Sequence, residues 1–89
     1  MIEVSFSDSF NKVFKKRIKG NEKLESKFFQ RLEWFIATPF DKRLRTHKLS
    51  GQLKDLWSFT VDYGCRVVFY FETSDKVVLV DIGTHDEVY

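Results

Sequence analysis

The chain has 89 residues, a formal net charge of +2 and a 17% share of aromatic residues. A chain of this length buries about 60–70% of its extended surface and has room for one core, so we predict one domain over residues 1–89. The aromatic content excludes a disordered chain, and no apolar run exceeds the five residues 67–71, which excludes the run of about 20 that spans a membrane. The start of the sequence lacks signal-peptide features, and we predict a cytoplasmic protein without membrane contact.

The first half of the chain predicts one strand and two helices. Apolar and polar residues alternate over residues 1–6, as they do in a half-buried strand. The helix that follows is capped by Ser7 or Asp8. It has an apolar stripe and, on the opposite face, the lysines Lys12, Lys15, Lys16 and Lys19. A second helix is predicted over residues 22–37, because the Thr-Pro pair that follows disfavours helical backbone.

Basic residues are concentrated in this half. Residues 11–48 hold twelve lysine or arginine residues and four acidic ones, whereas residues 49–89 hold three and seven. Such a segment either binds a polyanion such as RNA or an acidic protein partner, or is a solvated helix face. Trp34 lies off the apolar stripe of the second helix and is expected to be partly exposed. It either contacts a partner or packs against the loop around Phe40.

The second half predicts three strands, over residues 53–62, 65–72 and 76–83, which are rich in Val, Phe, Leu and Tyr. The short turns between them favour antiparallel neighbours. The single Cys65 is expected to be buried as a small hydrophobe. The predicted fold class is α+β, with an N-terminal strand and a two-helix hairpin packed on one face of a small, twisted, mainly antiparallel sheet. The other face is expected to be an open platform.

Candidate chemical groups lie mainly in this second half. His47 and His85 are the side chains that exchange protons most readily near neutral pH. Strand alternation places Arg66 on the open face, where a guanidinium can bind phosphate in a bidentate manner. Tyr89 carries a ring that can stack on an unpaired base. These groups suit metal-free RNA cleavage by the 2′-hydroxyl, which needs a base, an acid and a cation for the charged phosphorane.

Each candidate also has an alternative role. Arg66 can pair with Asp62 or Glu72 across the sheet. Tyr89 can be a disordered end, and either histidine can be an uninvolved surface residue. Two histidines and one cysteine at these spacings fit neither a zinc nor a calcium site, so no metal or cofactor is predicted. The residues alone indicate a nucleic-acid-binding domain with groups fit for acid–base chemistry.

Three segments occur in a characteristic order: HKLSG at 47–51, Arg66 in the following hairpin, and GTHDEVY at 83–89. This set resembles the RelE/ParE superfamily of bacterial type II toxin–antitoxin toxins, in particular its YafQ-like and YoeB-like messenger-RNA interferases. The resemblance extends over the whole chain and implies a ribosome-dependent endoribonuclease that a cognate antitoxin neutralises in a hetero-oligomer. It implies catalytic roles for His47, Arg66, His85 and Tyr89.

The sequence departs from this family pattern at the general base. Arg43 stands where YoeB-like toxins have a catalytic glutamate, and Thr60 and Gly64 stand where YafQ-like toxins have a histidine and an aspartate. His47 is then the first candidate for the base and Asp62 the second, and His85 is the candidate acid.

Charge and exposure give the remaining predicted roles. The predicted RNA-binding residues are Lys48, Arg43, Arg45, Lys12, Lys15 and Lys16, and the predicted partner-binding residues are Trp34 and Lys19. Two other functions are alternatives. A ParE-like toxin that poisons DNA gyrase would use the same fold without the catalytic set, and a catalytically inactive member would bind the antitoxin or act as a co-repressor.

Overall fold

The computed structural model describes residues 1–53 and 55–89. Its centre is a five-stranded sheet with the strand order β1-β5-β4-β3-β2. The strands are β1 (Glu3–Phe6), β2 (His47–Lys48), β3 (Trp57–Asp62), β4 (Cys65–Thr73) and β5 (Lys76–Gly83). β1 runs parallel to β5, and the other neighbours are antiparallel. The structure therefore confirms the predicted α+β fold with a mainly antiparallel sheet.

The two predicted helices form the hairpin α1 (Asp8–Arg17) and α2 (Glu22–Ala37). Each begins with a side-chain cap, Ser7 on α1 and Asn21 on α2, whose oxygen accepts a backbone hydrogen bond from three residues further on. α2 has the predicted bounds, whereas α1 ends before Lys19, which lies in the following turn. No helix among the described residues has the length and apolar character needed to cross a membrane.

The strand predicted over residues 53–62 begins only at Trp57, as β3. Residues 51–53 form a single 3-10 turn, and the Leu56 amide donates to the Leu53 carbonyl at 2.9 Å. Gly51, at the start of this turn, has a φ of +69°, a backbone conformation that glycine adopts without steric cost. Residue 54 of the predicted strand lies outside the described residues. The sequence also did not predict β2, whose two residues pair with the start of β3.

Aromatic side chains fill the space between the helices and the sheet. The centre of the Phe35 ring on α2 lies 4.6 Å from that of Phe59 and 4.8 Å from that of Phe69, and all three are fully buried. Such pairs contribute about 0.5–1.5 kcal/mol each beyond the area they bury. Cys65 belongs to the same core, as predicted, and burial is the main cause that raises the pKa of its thiol to about 12.

The face of the sheet opposite α1 and α2 is less open than predicted. The C-terminal residues fold back over it. Thr84 caps the short helix α3 (His85–Val88), and the Tyr89 hydroxyl donates to Ser58 Oγ at 2.6 Å. Ser58 and its cross-strand partner Val68 are buried on this face. The predicted platform is therefore bounded by the end of the chain, which leaves a cavity rather than a flat surface.

Phe35→Ala is expected to lower the free energy of unfolding by about 3–5 kcal/mol, because truncation of a buried ring leaves a cavity between α2 and the sheet. Tyr63→Ala is the control, because it removes a side chain that is 99% exposed. It is expected to change the free energy of unfolding by less than about 0.5 kcal/mol. Urea denaturation followed by circular dichroism measures both values. Equal effects of the two changes would contradict the placement of Phe35 at the centre of the core.

Candidate active site

A cavity of about 800 Å³ lies between the β3–β4 turn, β2 and the start of α3. This volume is within the range of small-ligand sites. Six residues that the sequence predicted as site residues line it: Arg43, Arg45, His47, Asp62, Arg66 and His85. The fold thus brings the segment that carries Arg43, Arg45 and His47 together with Arg66 and His85, which lie far from it in the sequence.

The register of the sheet places Arg66 in the wall of this cavity. Arg66 pairs with Thr60 on β3 and with Gly83 on β5. Residues paired across adjacent strands share a face, so these three lie side by side opposite the helices. The alternative ion pair of Arg66 with Asp62 or Glu72 is not formed within the part of the chain that the structure describes. The guanidinium is therefore available to an anion in the cavity.

The ring of His47 is oriented by the backbone of Arg45. His47 Nδ1 lies 2.9 Å from the Arg45 carbonyl oxygen. Because a carbonyl oxygen only accepts, Nδ1 is the donor, and the neutral ring keeps its lone pair on Nε2. Arg45 adopts the left-handed conformation, with φ 52° and ψ 39°, which costs about 1–2 kcal/mol for a residue with a side chain. This turn therefore leaves Nε2 of His47 as the proton-accepting atom.

Arg43 has two partners that fix its guanidinium group. Its Nε and Nη2 donate to the two carboxylate oxygens of Asp41 at 3.1 and 2.8 Å, and these hydrogen bonds lower the pKa of Asp41 to about 2. The guanidinium carbons of Arg43 and Arg31 lie 3.7 and 4.2 Å from the centre of the Trp34 ring. Trp34 thus supports two arginines of the cavity, whereas Phe40 packs on two aromatic rings of the sheet. The partner-binding role of Trp34 stays a prediction.

The short helix α3 presents His85 and is followed by Tyr89. Thr84 and Glu87 form a capping box, in which each backbone amide donates to the other side chain, at 2.8 and 3.3 Å. The rings of His85 and Tyr89 meet edge to face with centres 4.6 Å apart, and the Tyr89 hydroxyl is bound to Ser58. The terminal ring is therefore ordered, and its 39% exposure leaves part of its surface free.

Arg17, at the end of α1, joins this helix to the sheet. Its Nη1 lies 3.1 Å from Asp81 Oδ1 and donates to a backbone carbonyl of β5 at 3.0 Å, while its Nε lies 3.5 Å from Glu87 Oε2. The hydrogen bond from the Thr84 backbone and the nearby Arg17 charge lower the pKa of Glu87. A Cβ atom on Gly83 would lie 2.7 Å from Glu87 Oε1 and 2.9 Å from Arg17 Nη1. Glycine at this position therefore permits the contact that positions α3.

The predicted lysines lie outside this cavity. Those of the first helical segment, Lys12, Lys15, Lys16 and Lys19, are exposed and do not line it. Lys48 lines a smaller neighbouring cavity with His47 and Tyr89.

The sequence analysis did not predict three residues of the site and its surroundings: Arg17, Arg31 and Tyr63. Arg31 precedes Trp34 by three positions on one helix, and this spacing was a signal for contact. The sequence carried no comparable signal for the other two.

The chemical groups in the cavity suit acid–base chemistry on an anion. Two imidazoles can accept and donate protons, and arginines can neutralise a phosphate. Asp62 is the remaining acid–base candidate, and its Oδ1 already accepts from the Gly64 amide at 2.9 Å. Among residues 1–53 and 55–89, no three His, Cys, Asp or Glu side chains converge as a metal site would require.

Comparison with protein families gives one match. Residues 2–89 match the family described as bacterial toxin of type II toxin–antitoxin system, YafQ. A search of the curated proteins found no significant match. The family match covers all but the first residue of the chain.

Several solved structures share the fold. A copper-bound mutant toxin from Helicobacter pylori is 22% identical, with both chains covered in full and a TM-score of 0.79. YafQ from E. coli strain BL21(DE3) is 18% identical over 100% of this chain and 99% of that chain, with a TM-score of 0.70. The YoeB–YefM complex from Staphylococcus aureus contains a chain that is 16% identical over 96% of this chain and 98% of its own length, with a TM-score of 0.74. At these identities the structures show the fold alone.

Gly83→Ala is expected to displace the carboxylate of Glu87 and the guanidinium of Arg17, because the added Cβ would lie 2.7 and 2.9 Å from them, and so to weaken the capping box and the ion pair that hold α3. The amides of α3 that donate to Thr84 and His85 should then exchange with solvent at least about tenfold faster, a change equivalent to ~1.4 kcal/mol of local stability. Hydrogen exchange followed by NMR measures this rate. Gly64→Ala is the matched control, since an added Cβ there meets nothing within 4 Å. Unchanged exchange in Gly83→Ala would show that Glu87 and Arg17 do not stabilise α3.

Proposed function

Because the chain belongs to the YafQ family of bacterial type II toxin–antitoxin toxins, within the RelE/ParE superfamily, we propose that it is an endoribonuclease that cleaves messenger RNA. The observation that carries this proposal is the cavity shared by His47, Arg66 and His85. In the proposed reaction the 2′-oxygen attacks the adjacent phosphorus, and the bond from phosphorus to the 5′-oxygen of the next nucleotide breaks. The products are a 2′,3′-cyclic phosphate and a 5′-hydroxyl end.

His47 is the general base in this proposal. Its Nδ1 is bound to the Arg45 carbonyl, so Nε2 takes the proton from the 2′-hydroxyl. Asp62 lines the same cavity and is the second candidate. One of its carboxylate oxygens is already bound to the backbone of the turn, which favours the imidazole as the base.

The remaining groups act on the developing charges. His85 in its imidazolium form protonates the leaving 5′-oxygen. Arg66 neutralises the phosphorane, because a guanidinium holds two phosphate oxygens at once. Tyr89 stacks on a base beside the scissile bond. Arg45 and Lys48, which lie on either side of His47, contact the neighbouring phosphates.

The exposure of both histidines supports a reaction on the ribosome. His47 is exposed, and 65% of the His85 side chain is exposed. An exposed pair of this kind does not by itself fix a flexible RNA strand in the in-line geometry that the reaction requires. The ribosome holds messenger RNA in a defined frame and supplies that positioning. The proposed site of action is therefore the cytoplasm, and no cofactor is required.

His47→Gln and His85→Gln are each expected to lower the rate of messenger-RNA cleavage by about 10²–10⁴-fold, the usual contribution of a general acid or base. Lys76→Gln, an exposed change on β5 outside the cavity, serves as the control and should retain the wild-type rate. The assay uses ribosomes programmed with a defined messenger RNA and primer extension to map the ends. The new 5′ ends should be hydroxyl groups and should follow the reading frame.

Three outcomes would argue against this proposal. Wild-type activity in both histidine variants would remove the assigned proton transfers. Growth arrest with DNA breaks trapped on gyrase, and without new messenger-RNA ends, would favour a ParE-like toxin. Antitoxin binding without arrest of any kind would favour a catalytically inactive member.

The family membership also supports a cognate antitoxin that neutralises this toxin in a hetero-oligomer. YoeB from S. aureus, whose fold the chain shares, was solved in complex with YefM. On this chain three exposed lysines lie on α1, away from its apolar stripe: Lys12, Lys15 and Lys16. An acidic antitoxin segment would complement them, and Lys19 and Trp34 are the further proposed contacts. The same lysines are proposed RNA contacts outside the cavity.

The combined change K12E, K15E and K16E is expected to slow antitoxin association by about tenfold or more at low salt, because long-range attraction sets the association rate. The dependence of the rate on salt should become weaker. Stopped-flow mixing at several salt concentrations measures both. The fold should remain intact, since all three side chains are exposed, and circular dichroism checks this. Unchanged rates at every salt concentration would show that the three lysines are a solvated face.

A further inference from the structure

Tyr63 has the most exposed ring of the three tyrosines. It is 99% exposed, compared with 36% for Tyr70 and 39% for Tyr89. It occupies the two-residue turn between β3 and β4, where Gly, Asn and Asp are the usual residues. No stabilising role in the fold accounts for a ring in this position, since the ring is in water.

The turn holds Tyr63 on a fixed backbone. The Gly64 amide donates to Asp62 Oδ1 at 2.9 Å, which closes the turn with a side-chain hydrogen bond. Asp62 pairs with Cys65 across the turn, and the strand register shifts between Thr60 and Asp62. Irregularities of this kind re-aim side chains at the end of a sheet. The aromatic ring is therefore displayed by a defined turn at the end of two paired strands.

Tyr63 also lines the cavity that contains the candidate catalytic groups. Four arginines and two aspartates line the same cavity. Arg43 is paired with Asp41, whereas Arg31, Arg45 and Arg66 form no ion pair within the residues that the structure describes. A polyanion backbone is thus attracted to the cavity, and an aromatic ring stands at its rim.

We infer that Tyr63 forms a base-stacking subsite, in which a nucleobase next to the scissile phosphate packs on its ring. Single-stranded RNA exposes the faces of its bases, and proteins bind such strands by combining cationic grooves with aromatic stacking. Stacking tolerates every base, so the subsite binds a base of any identity. Tyr89, which stacks on a base in the proposed function, lines a separate neighbouring cavity with His47. This inference rests on that function and adds a second point of contact with the strand.

The test compares Tyr63→Ala, Tyr63→Phe and Tyr63→Trp in cleavage of a defined messenger RNA on programmed ribosomes. Tyr63→Ala is expected to lower kcat/KM about tenfold, equivalent to ~1.4 kcal/mol, while the Phe and Trp variants retain it because they keep an aromatic ring. Tyr70→Ala is the matched control. It removes a tyrosine from β4 that does not line the cavity, and it should leave kcat/KM unchanged.

Abasic nucleotides identify the contact as stacking. A series of messenger RNAs carries one abasic position each, placed in turn around the cleavage site. At the stacked position the abasic change should lower wild-type cleavage about tenfold and should have no further effect on Tyr63→Ala. The inference would be overturned if the losses from Tyr63→Ala and from the abasic nucleotide were additive at every position. It would also be overturned if Tyr63→Ala kept the wild-type kcat/KM. An equal loss of affinity for ribosomes without messenger RNA would also overturn it, because Tyr63 would then contact the ribosome.

A binding experiment separates this inference from the proposed function. A short single-stranded 2′-O-methyl RNA cannot be cleaved by 2′-hydroxyl attack, and its affinity is measured by fluorescence anisotropy. If the wild-type protein cleaves no RNA, the proposed function fails. The subsite is still supported in that case if Tyr63→Ala binds this probe about tenfold more weakly than Tyr70→Ala does. If wild-type cleavage is present and the two variants are equal in both assays, the subsite alone fails.

Discussion

Strand alternation in β4 is the constraint on which the rest of this structure depends. Cys65, Val67 and Phe69 are buried against the helices, so Arg66 between them lies on the opposite face. A slip of one residue in the pairing of β4 would bury the guanidinium among the core side chains and move Phe69 to the opposite face. Burial of an unpaired charge in an apolar core costs several kcal/mol. The same pattern therefore builds the core and places the cation of the candidate site.

Short local contacts then fix the other groups around that cation. The left-handed turn at Arg45 directs a carbonyl to His47, and Arg17 joins the first turn of α3 to the sheet. Asp41 and Trp34 hold the guanidinium of Arg43 beside the cavity. Several like charges in one cavity repel one another, and these partners offset that repulsion. The result is a cationic cavity, as binding of a polyanion requires.

The sequence predicted the elements that have a strong periodic pattern or a clear stop signal. The bounds 22–37 and 76–83 agree with the structure, because a Thr-Pro pair ends the helix and short turns bound the strand. It did not predict the two-residue β2 or the late start of β3. Two residues carry no period, and their pairing depends on a neighbouring strand. The fold over the described residues was thus largely predictable, except in the segments 41–53 and 55–56.

The candidate site was also predictable only in part from the sequence. The sequence by itself determined the chemical groups, namely two histidines, Arg66 and a terminal tyrosine, and the face of β4 that carries the arginine. Only the tertiary structure decided which cations share the cavity. Arg31 lines it and the lysines of α1 do not, because a helical pattern fixes which residues share a face but not where that face points after packing. The exposure of Tyr63 was decided in the same way, since its direction depends on the turn between two paired strands.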